Sequence, residues 1–236
     1  MLKVKKLIKG KYPFAVKIFC NVRLFFLKMN TSILKAVRTL EKAAKRFRCR
    51  KTIRLILKKQ NKISLELGAG NKKGAQGWIT IDNEHDSDIF WDLRKGIPFP
   101  DESVTKIYSS HFFEHLSFNE GQKMLDECRR VLIPGGSFSI CVPNARPYCE
   151  LYLRPDAQLE AKLSGYYKPG FNNTTRIDYM NYTAYMDGQH KYMFDEENLL
   201  YILKAKGFQN VRQRKFDACL DQREREFDSI YAEAEK

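Results

Sequence analysis

The amino-acid sequence predicts an α/β protein whose parallel sheet is preceded by a basic helical extension. From residue 63 onward, short apolar runs separated by Gly, Asp and Pro alternate with helical segments. Such alternation is typical of parallel sheets covered by helices. Residues 1–62 differ, because their apolar side chains recur at helical spacing between Lys and Arg. The chain of 236 residues is long enough for one such domain and an appendage.

The extension carries the positive charge of the protein. Residues 1–62 hold 20 Lys and Arg and one acidic residue, Glu41, a balance of +19. The remainder holds 22 basic and 27 acidic residues, a balance of −5, within a total of +14. From Phe14 to about Lys59 the spacing predicts two or three basic amphipathic helices. The basic character therefore belongs to the extension and not to the following domain.

Neither a signal peptide nor a membrane span is predicted near the start of the chain. The apolar run from Phe14 to Leu27 is interrupted by Lys17, Asn21 and Arg23. The six cysteines form no CxxC pair and have no ligand-like spacing to the four histidines. This pattern favours reduced thiols over a disulfide scaffold or a metal site, and it is typical of a cytoplasmic protein.

Five apolar runs predict the first strands of the sheet, in the order 63–67, 78–81, 89–91, 106–109 and 137–142. A helix is predicted over about 119–131, between the fourth and fifth strands. Ser117 and Glu120 have the spacing of a capping box at its start, and the Pro134-Gly135-Gly136 turn follows its end.

The region 147–188 has weak periodicity and is predicted to be an insertion or lid. It is rich in tyrosine, with Tyr148, Tyr152, Tyr166, Tyr167, Tyr179, Tyr182 and Tyr185. These rings suit stacking on a sugar, and they equally suit a small core of the insertion itself. A helix over about 196–206 follows, with Asp195 as N-cap and Gly207 as its stop. Strands at 210–216 and 228–233 complete the prediction.

The sharpest motif is a strand that runs into a glycine turn, Ser64-Leu65-Glu66-Leu67-Gly68-Ala69-Gly70. Glycines at these positions allow a tight turn and the close approach of a ligand, although a plain structural turn has the same spacing. The third glycine of the dinucleotide fingerprint would fall on Lys73, so that site is not predicted. A carboxylate at Glu66 would repel a pyrophosphate but suits a ligand with an ammonium and a sulfonium group.

Two further acids follow the next two predicted strands. Asp82 ends the second strand, where a carboxylate can accept hydrogen bonds from both hydroxyls of a ribose. Asp92 follows the third strand and can accept from an adenine amino group, with Leu93 in apolar contact with the ring. Each acid alone is equally well a turn or cap residue. Because the carboxyl ends of parallel strands share one edge, we expect Glu66, Asp82 and Asp92 to line one crevice.

At this point the sequence resembles class I S-adenosylmethionine-dependent methyltransferases, in particular a bacterial group of predicted methyltransferases often found with polysaccharide-synthesis genes. The resemblance covers about residues 63–146 and resumes at His190. Its motifs are Leu65-Glu66-Leu67-Gly68-Ala69-Gly70, Gly77-Trp78-Ile79-Thr80-Ile81-Asp82, Asp92-Leu93, Ile97-Pro98-Phe99, Ile107-Tyr108-Ser109-Ser110-His111, Glu114-His115-Leu116 and Arg130-Val131-Leu132-Ile133-Pro134-Gly135-Gly136.

The resemblance implies a Rossmann-like, mostly parallel sheet of seven strands with helices on both faces and an antiparallel last strand. Residues 63–236 would form the methyltransferase domain, with S-adenosyl-L-methionine as cofactor. Glu66 and the turn of Gly68, Ala69 and Gly70 would hold its methionine part, Asp82 the ribose, and Asp92 with Leu93 the adenine. Ser110 would be a further cofactor contact.

One departure concerns the segment after the glycine turn. Only eight residues separate Gly70 from Ile79, too few for the usual helix, so one short turn is predicted. Lys72 or Lys73 then becomes a candidate for the cofactor carboxylate, although solvated surface lysines fit the sequence equally well.

Three residues after the fourth strand are the predicted catalytic group. His111 and His115 are suitable bases near neutral pH, and Glu114 can orient a histidine. The alternative is that Glu114 and His115 only hold the loop together. His190, at the start of the returning C-terminal region, is a weaker candidate.

The leading functional hypothesis is methylation of a small-molecule or glycan acceptor, at oxygen. In a second hypothesis the acceptor is RNA bound by the basic extension, but no RNA-binding module is recognised and the domain is slightly acidic, so nucleic acid is not the expected partner. In a third, residues 1–60 lie on anionic lipid at the inner face of the membrane and the domain is a non-catalytic scaffold. The same helices can instead pack on the domain.

Overall fold

The computed structural model describes residues 47–71, 74, 76–84, 86–166 and 174–236, without the side chains of residues 165 and 166. The predicted basic helices before residue 47, together with Lys72 and Lys73, lie outside the described residues. The compact unit considered below spans Cys49–Lys236. Within the described ranges, no helix is both long enough and apolar enough to cross a bilayer.

The unit is built on a seven-stranded sheet of order β3-β2-β1-β4-β5-β7-β6. The strands are β1 (Ser64–Leu67), β2 (Trp78–Asp82), β3 (Ile89–Phe90), β4 (Val104–Ser110), β5 (Leu132–Pro143), β6 (Gln209–Gln213) and β7 (Ser229–Glu235). The first five are parallel, whereas β7 runs antiparallel to both β5 and β6. The predicted Rossmann-like α/β fold with a reversed last strand is confirmed.

Two strands differ from their predicted bounds by three residues or more. β5 begins at Leu132 instead of residue 137, because the helix ends at Val131 and the chain continues directly in extended conformation. Pro134, Gly135 and Gly136, which were predicted to form a turn, therefore lie within β5. The pairing of β4 with β5 has a register shift in this part of the strand. β6 ends at Gln213 instead of residue 216, because the chain leaves the sheet after Arg214. The Arg214 amide still donates to the Tyr231 carbonyl at 3.0 Å, and its side chain pairs with the buried Asp221.

The apolar runs that predict the strands form the centre of the core. Leu65, Leu67, Ile81, Ile107 and Ile140 are at most 1% exposed. Burying each such side chain contributes roughly 1.5–3 kcal/mol to folding. Burial on both faces explains why these strands have continuous apolar runs instead of an alternating pattern.

Helix α1 spans residues 47–59. The other helices of the described residues are α2 (Phe118–Val131), α3 (Arg146–Leu153), α4 (Ala157–Tyr166), α5 (Arg176–Tyr185) and α6 (Glu196–Ala205). The predicted capping box of α2 is present: Ser117 Oγ accepts from the Glu120 amide, and Glu120 accepts from the Ser117 amide at 2.9 Å. Asp195 caps α6 by accepting from the Asn198 amide at 2.8 Å.

The tyrosine-rich region contains α3, α4 and α5, although its weak periodicity did not predict helices. Tyr148, Leu151, Leu163 and Tyr179 form a small apolar cluster. These two tyrosines therefore support the second of the two interpretations, a core of the insertion itself. Tyr152 and Tyr185 are 51% and 62% exposed, and a role of the region as a lid remains a prediction.

Candidate cofactor and acceptor site

A cavity of about 590 Å³ opens at the carboxyl ends of β1, β2 and β4. All eight predicted cofactor-binding residues line it, namely Glu66, Gly68, Ala69, Gly70, Asp82, Asp92, Leu93 and Ser110. His111 and His115 line it as well, whereas Glu114 does not. The three predicted acids thus share one hollow, as the parallel order of the strands requires.

The glycine turn adopts a conformation that favours glycine at two positions. Gly68 and Gly70 both have φ of +68°. A Cβ at Gly68 would lie 2.3 Å from the ring of Phe112, whereas a Cβ at Gly70 would meet no atom of the described residues within 4 Å. Gly68 is therefore needed for packing, and Gly70 leaves room for a ligand beside the backbone.

Asp82 fastens this turn to the end of β2. Its Oδ2 accepts from the Gly70 amide at 2.8 Å, and its Oδ1 accepts from the Glu84 amide at 3.1 Å. A carboxylate oxygen has more than one lone pair, so both atoms can accept a further hydrogen bond from the cavity. The side chain thereby positions the turn and presents acceptors to a ligand.

Asp92 has partners that the sequence interpretation missed. It caps the 3-10 turn Leu93–Lys95 and accepts from Arg94 Nε at 2.9 Å, with Lys95 Nζ at 3.3 Å. The hydrogen bond from Arg94 lowers the pKa of the Asp92 carboxyl. Because Arg94 and Lys95 offset the charge of Asp92, this carboxylate contributes little net negative charge to the cavity. It contributes mainly hydrogen-bond acceptors.

Next to Asp92, two apolar groups shape the same end of the cavity. Leu93 is 4% exposed. The indole of Trp91 is fixed by a hydrogen bond from its Nε1 to the carbonyl of Gly96 at 2.8 Å. Both residues line the cavity, which gives this end the flat, apolar surface that an aromatic ring requires.

His111 leaves β4 in the left-handed conformation, with φ of +51°. Its Nε2 lies 2.8 Å from Ser229 Oγ, and its Nδ1 lies 3.4 Å from Glu114 Oε1. Burial lowers the pKa of His111 to about 3 and raises the pKa of Glu114 to about 8. Glu114, which was predicted to orient a histidine, lies behind the cavity wall and is 1% exposed, because its 3-10 turn Phe113–His115 points it into the core.

His115 faces the cavity with a defined tautomer. Its Nδ1 lies 3.1 Å from the carbonyl oxygen of Gln189. Because a carbonyl can only accept, this contact places the hydrogen on Nδ1 and leaves the lone pair on Nε2. His115 is therefore better suited than the buried His111 to accept a proton from a bound molecule.

Among the cavity residues that the sequence did not predict, four come from the C-terminal part of the chain: Gln189, Lys191, Gln222 and Arg225. The last two lie in the loop between β6 and β7, which is held by the buried Asp221. Asp221 Oδ1 accepts from Tyr108 Oη at 3.0 Å and from Arg214 Nη2 at 2.7 Å. In the sequence, these residues have the composition of a solvated loop, so only the proximity of Lys191 and Gln189 to His190 gave a signal.

One family model and several solved structures are similar to this chain. The family model described as methyltransferase domain matches residues 83–140. No curated protein matches the sequence. A S-adenosylmethionine-dependent methyltransferase from Archaeoglobus fulgidus is 18% identical with a TM-score of 0.44, and the match covers 81% of this chain and 94% of that one.

Two further solved structures carry named activities. Phosphoethanolamine N-methyltransferase 2 from Haemonchus contortus is 12% identical with a TM-score of 0.46, and the match covers 75% of this chain but only 49% of that one. The 1,6-didemethyltoxoflavin-N1-methyltransferase from Burkholderia thailandensis is 15% identical, with a TM-score of 0.46 and coverages of 80% and 77%.

Residues 83–140 are thus similar to a methyltransferase domain, and they lie in a sheet with the predicted strand order and a reversed β7. The cofactor that the sequence resemblance implies is S-adenosyl-L-methionine. The open space at Gly70 and the acceptors of Asp82 fit this molecule, since both lie on the one cavity at the expected edge of the sheet.

Proposed function

We propose that the protein methylates an oxygen atom of a small-molecule or glycan acceptor that is bound beside the cofactor. The observation that supports this proposal is the composition of the cavity. The acids and the glycine turn lie on one side of the cavity. His115, whose Nε2 has an available lone pair, lies on the other side. The cofactor and the acceptor can therefore meet in a single cavity, as an in-line displacement requires.

On the cofactor side, each residue has a separate task. S-adenosylmethionine supplies an electrophilic methyl group on a positively charged sulfur. Glu66 and the Gly68–Gly70 turn bind the methionine part, and Asp82 accepts hydrogen bonds from the ribose hydroxyls. Asp92 accepts from the adenine amino group, while Leu93 contacts the ring. Ser110, at the end of β4, is a further polar contact.

On the acceptor side, the residues after β4 remove the proton of the acceptor hydroxyl. Nε2 of His115 accepts that proton, because Nδ1 is held by the Gln189 carbonyl. His111 stays neutral and, through its contacts with Ser229 and Glu114, fixes the start of this segment. Lys191 and Arg225 add positive charge to the cavity wall and suit an acceptor that carries an anionic group.

The proposal is tested by the gain of one methyl group, measured by mass spectrometry across a panel of glycan and small-molecule acceptors. We expect turnover of at least one hydroxyl acceptor, and we expect His115→Gln to lower kcat at least tenfold with little change in cofactor affinity. Tyr201→Phe, an exposed change on α6 outside the cavity, is the control. Methylation that proceeds at nitrogen only, or a His115→Gln variant with full turnover, would contradict the proposal.

A further inference from the structure

Three potential metal ligands meet at the wall of the cavity. Glu114, His115 and His190 each offer one ligand atom, and these atoms lie within 4.8 Å of one another. Glu114 and His190 are 1% and 5% exposed, whereas His115 reaches the cavity. The backbone joins the two segments, because the Lys191 amide donates to the Glu114 carbonyl at 2.7 Å.

Both histidines are oriented by backbone carbonyls. Nδ1 of His190 lies 2.8 Å from the carbonyl oxygen of Thr183, and Nδ1 of His115 lies 3.1 Å from that of Gln189. A carbonyl partner requires the hydrogen on Nδ1, so the lone pair of each ring is on Nε2. This arrangement is the one that holds metal-binding histidines in their tautomer and orientation.

The buried carboxylate of Glu114 gives evidence for the site beyond the proximity of the three side chains. Among the described residues, neither of its oxygens has a hydrogen-bond partner, and Nδ1 of the neutral His111 ring lies 3.4 Å from Oε1. A buried carboxyl without donors is costly to the fold. A cation between Glu114 and the two lone pairs would compensate for that cost.

We propose that Glu114, His115 and His190 form a binding site for one divalent transition-metal ion. Two imidazoles and one carboxylate favour such an ion over Mg²⁺ or Ca²⁺, which prefer oxygen ligands. Ligands that share one ion at about 2.1 Å lie about 3 to 4 Å apart, so the three side chains need to close by only about 1 Å.

The position of His115 gives the ion a role in the reaction, and this role rests on the proposed function. An ion held by three side chains keeps open positions, and one of its three ligands, His115, lines the acceptor cavity. An acceptor hydroxyl at such a position loses its proton to water more readily, because the ion stabilises the oxygen anion. The oxygen then forms its bond to the methyl carbon while the carbon–sulfur bond breaks. In the metal-loaded protein His115 is a ligand, and loss of the metal-activated proton to water replaces the role of base that the proposed function gives to His115.

The test is a titration of the chelator-treated full chain with Co²⁺, followed by visible absorption, without cofactor or acceptor. We expect one ion per chain and at least a tenfold loss of affinity in Glu114→Gln and in His190→Gln. Glu150→Gln, an exposed change on α3, is the matched control and should bind like the parent. S-adenosylmethionine affinity should be retained in both variants, because neither residue lines the cavity.

The proposed site would be wrong if the folded variants bound Co²⁺ as tightly as the parent, or if the folded parent did not bind Co²⁺. Circular dichroism checks the fold of each variant. If His190→Gln does not fold, His115→Gln provides the second measurement, since that residue is only partly buried. The titration contains no methyl donor, so its outcome is separate from that of the methylation assay.

Discussion

At the residue scale, the two glycines of the turn after β1 have the same backbone angle but different surroundings. Both have φ of +68°, so an alanine at either position has the same left-handed penalty of about 1–2 kcal/mol. Only Gly68 faces a neighbour, the ring of Phe112. The sequence motif alone does not distinguish these roles, because the contact comes from a residue more than forty positions later.

The first prediction compares Gly68→Ala with Gly70→Ala. Gly68→Ala should lower the free energy of unfolding by roughly 3 kcal/mol or more, because the clash with Phe112 adds to the backbone penalty. Gly70→Ala should cost only the backbone penalty but weaken S-adenosylmethionine binding, because its methyl group enters the ligand space. Urea unfolding and calorimetric titration measure the two effects. Equal destabilisation by both variants would show that Phe112 does not pack there.

At the element scale, the loop between β6 and β7 depends on one buried ion pair. The side chains of Arg214 and Asp221 are 10% and 1% exposed, and Tyr108 donates to the same carboxylate. The guanidinium also lies over the ring of Tyr231, 4.9 Å from its centroid. These contacts hold Gln222 and Arg225 at the cavity, although the loop itself has few buried residues.

The second prediction concerns this ion pair. Asp221→Ala should lower the free energy of unfolding by about 3–5 kcal/mol, because it leaves the Arg214 charge buried without its partner. The double variant Arg214→Met with Asp221→Leu should recover most of that loss, since it removes both charges together. Urea unfolding of the single and double variants provides the comparison. A double variant no more stable than Asp221→Ala would mean that the pair itself is not the cause.

Helix α2 is attached to the loop before β4 by a second charged group. Glu127 Oε2 accepts from the Ile97 amide at 2.8 Å and from Arg130 Nη2 at 2.7 Å. The hydrogen bond from Arg130 is the main cause of the lowered pKa of Glu127, whose ordinary value is 4.5. The ionised Glu127 carboxylate therefore stabilises the fold fully at pH values above its ordinary pKa of 4.5. This stabilisation is lost as the pH falls through the lowered pKa of Glu127 in the folded protein.

The third prediction follows from the lowered pKa of Glu127. Glu127→Gln should reduce stability at pH 7 by on the order of 1 kcal/mol, a small effect because the group is partly solvated. The difference from the parent should shrink as the solution is acidified below the ordinary value. Urea midpoints across a pH series measure it. A difference that stays constant at every pH would show that the charge of Glu127 contributes nothing.

At the scale of the whole molecule, local signals predicted the sheet and one half of the cavity. The apolar runs, the capping box at Ser117 and the acids at strand ends are each readable over a few neighbouring residues. The parallel order then brings Glu66 and Asp82 to one edge. The cavity wall formed by distant segments, such as those of Arg225 and Gln189, was not predicted, because these segments meet only in the fold. The Glu114, His115 and His190 cluster escaped the sequence for the same reason.

The central claim is that the acids at neighbouring strand ends and the glycine turn form one cofactor site. Calorimetric titration with S-adenosylmethionine tests it in the parent, in Asp82→Asn and in Asp126→Asn, a matched change on α2 outside the cavity. We predict micromolar binding in the parent and in Asp126→Asn, and affinity at least tenfold weaker in Asp82→Asn. A folded parent that does not bind at tens of micromolar, or an Asp82→Asn variant that binds like the parent, would contradict the account.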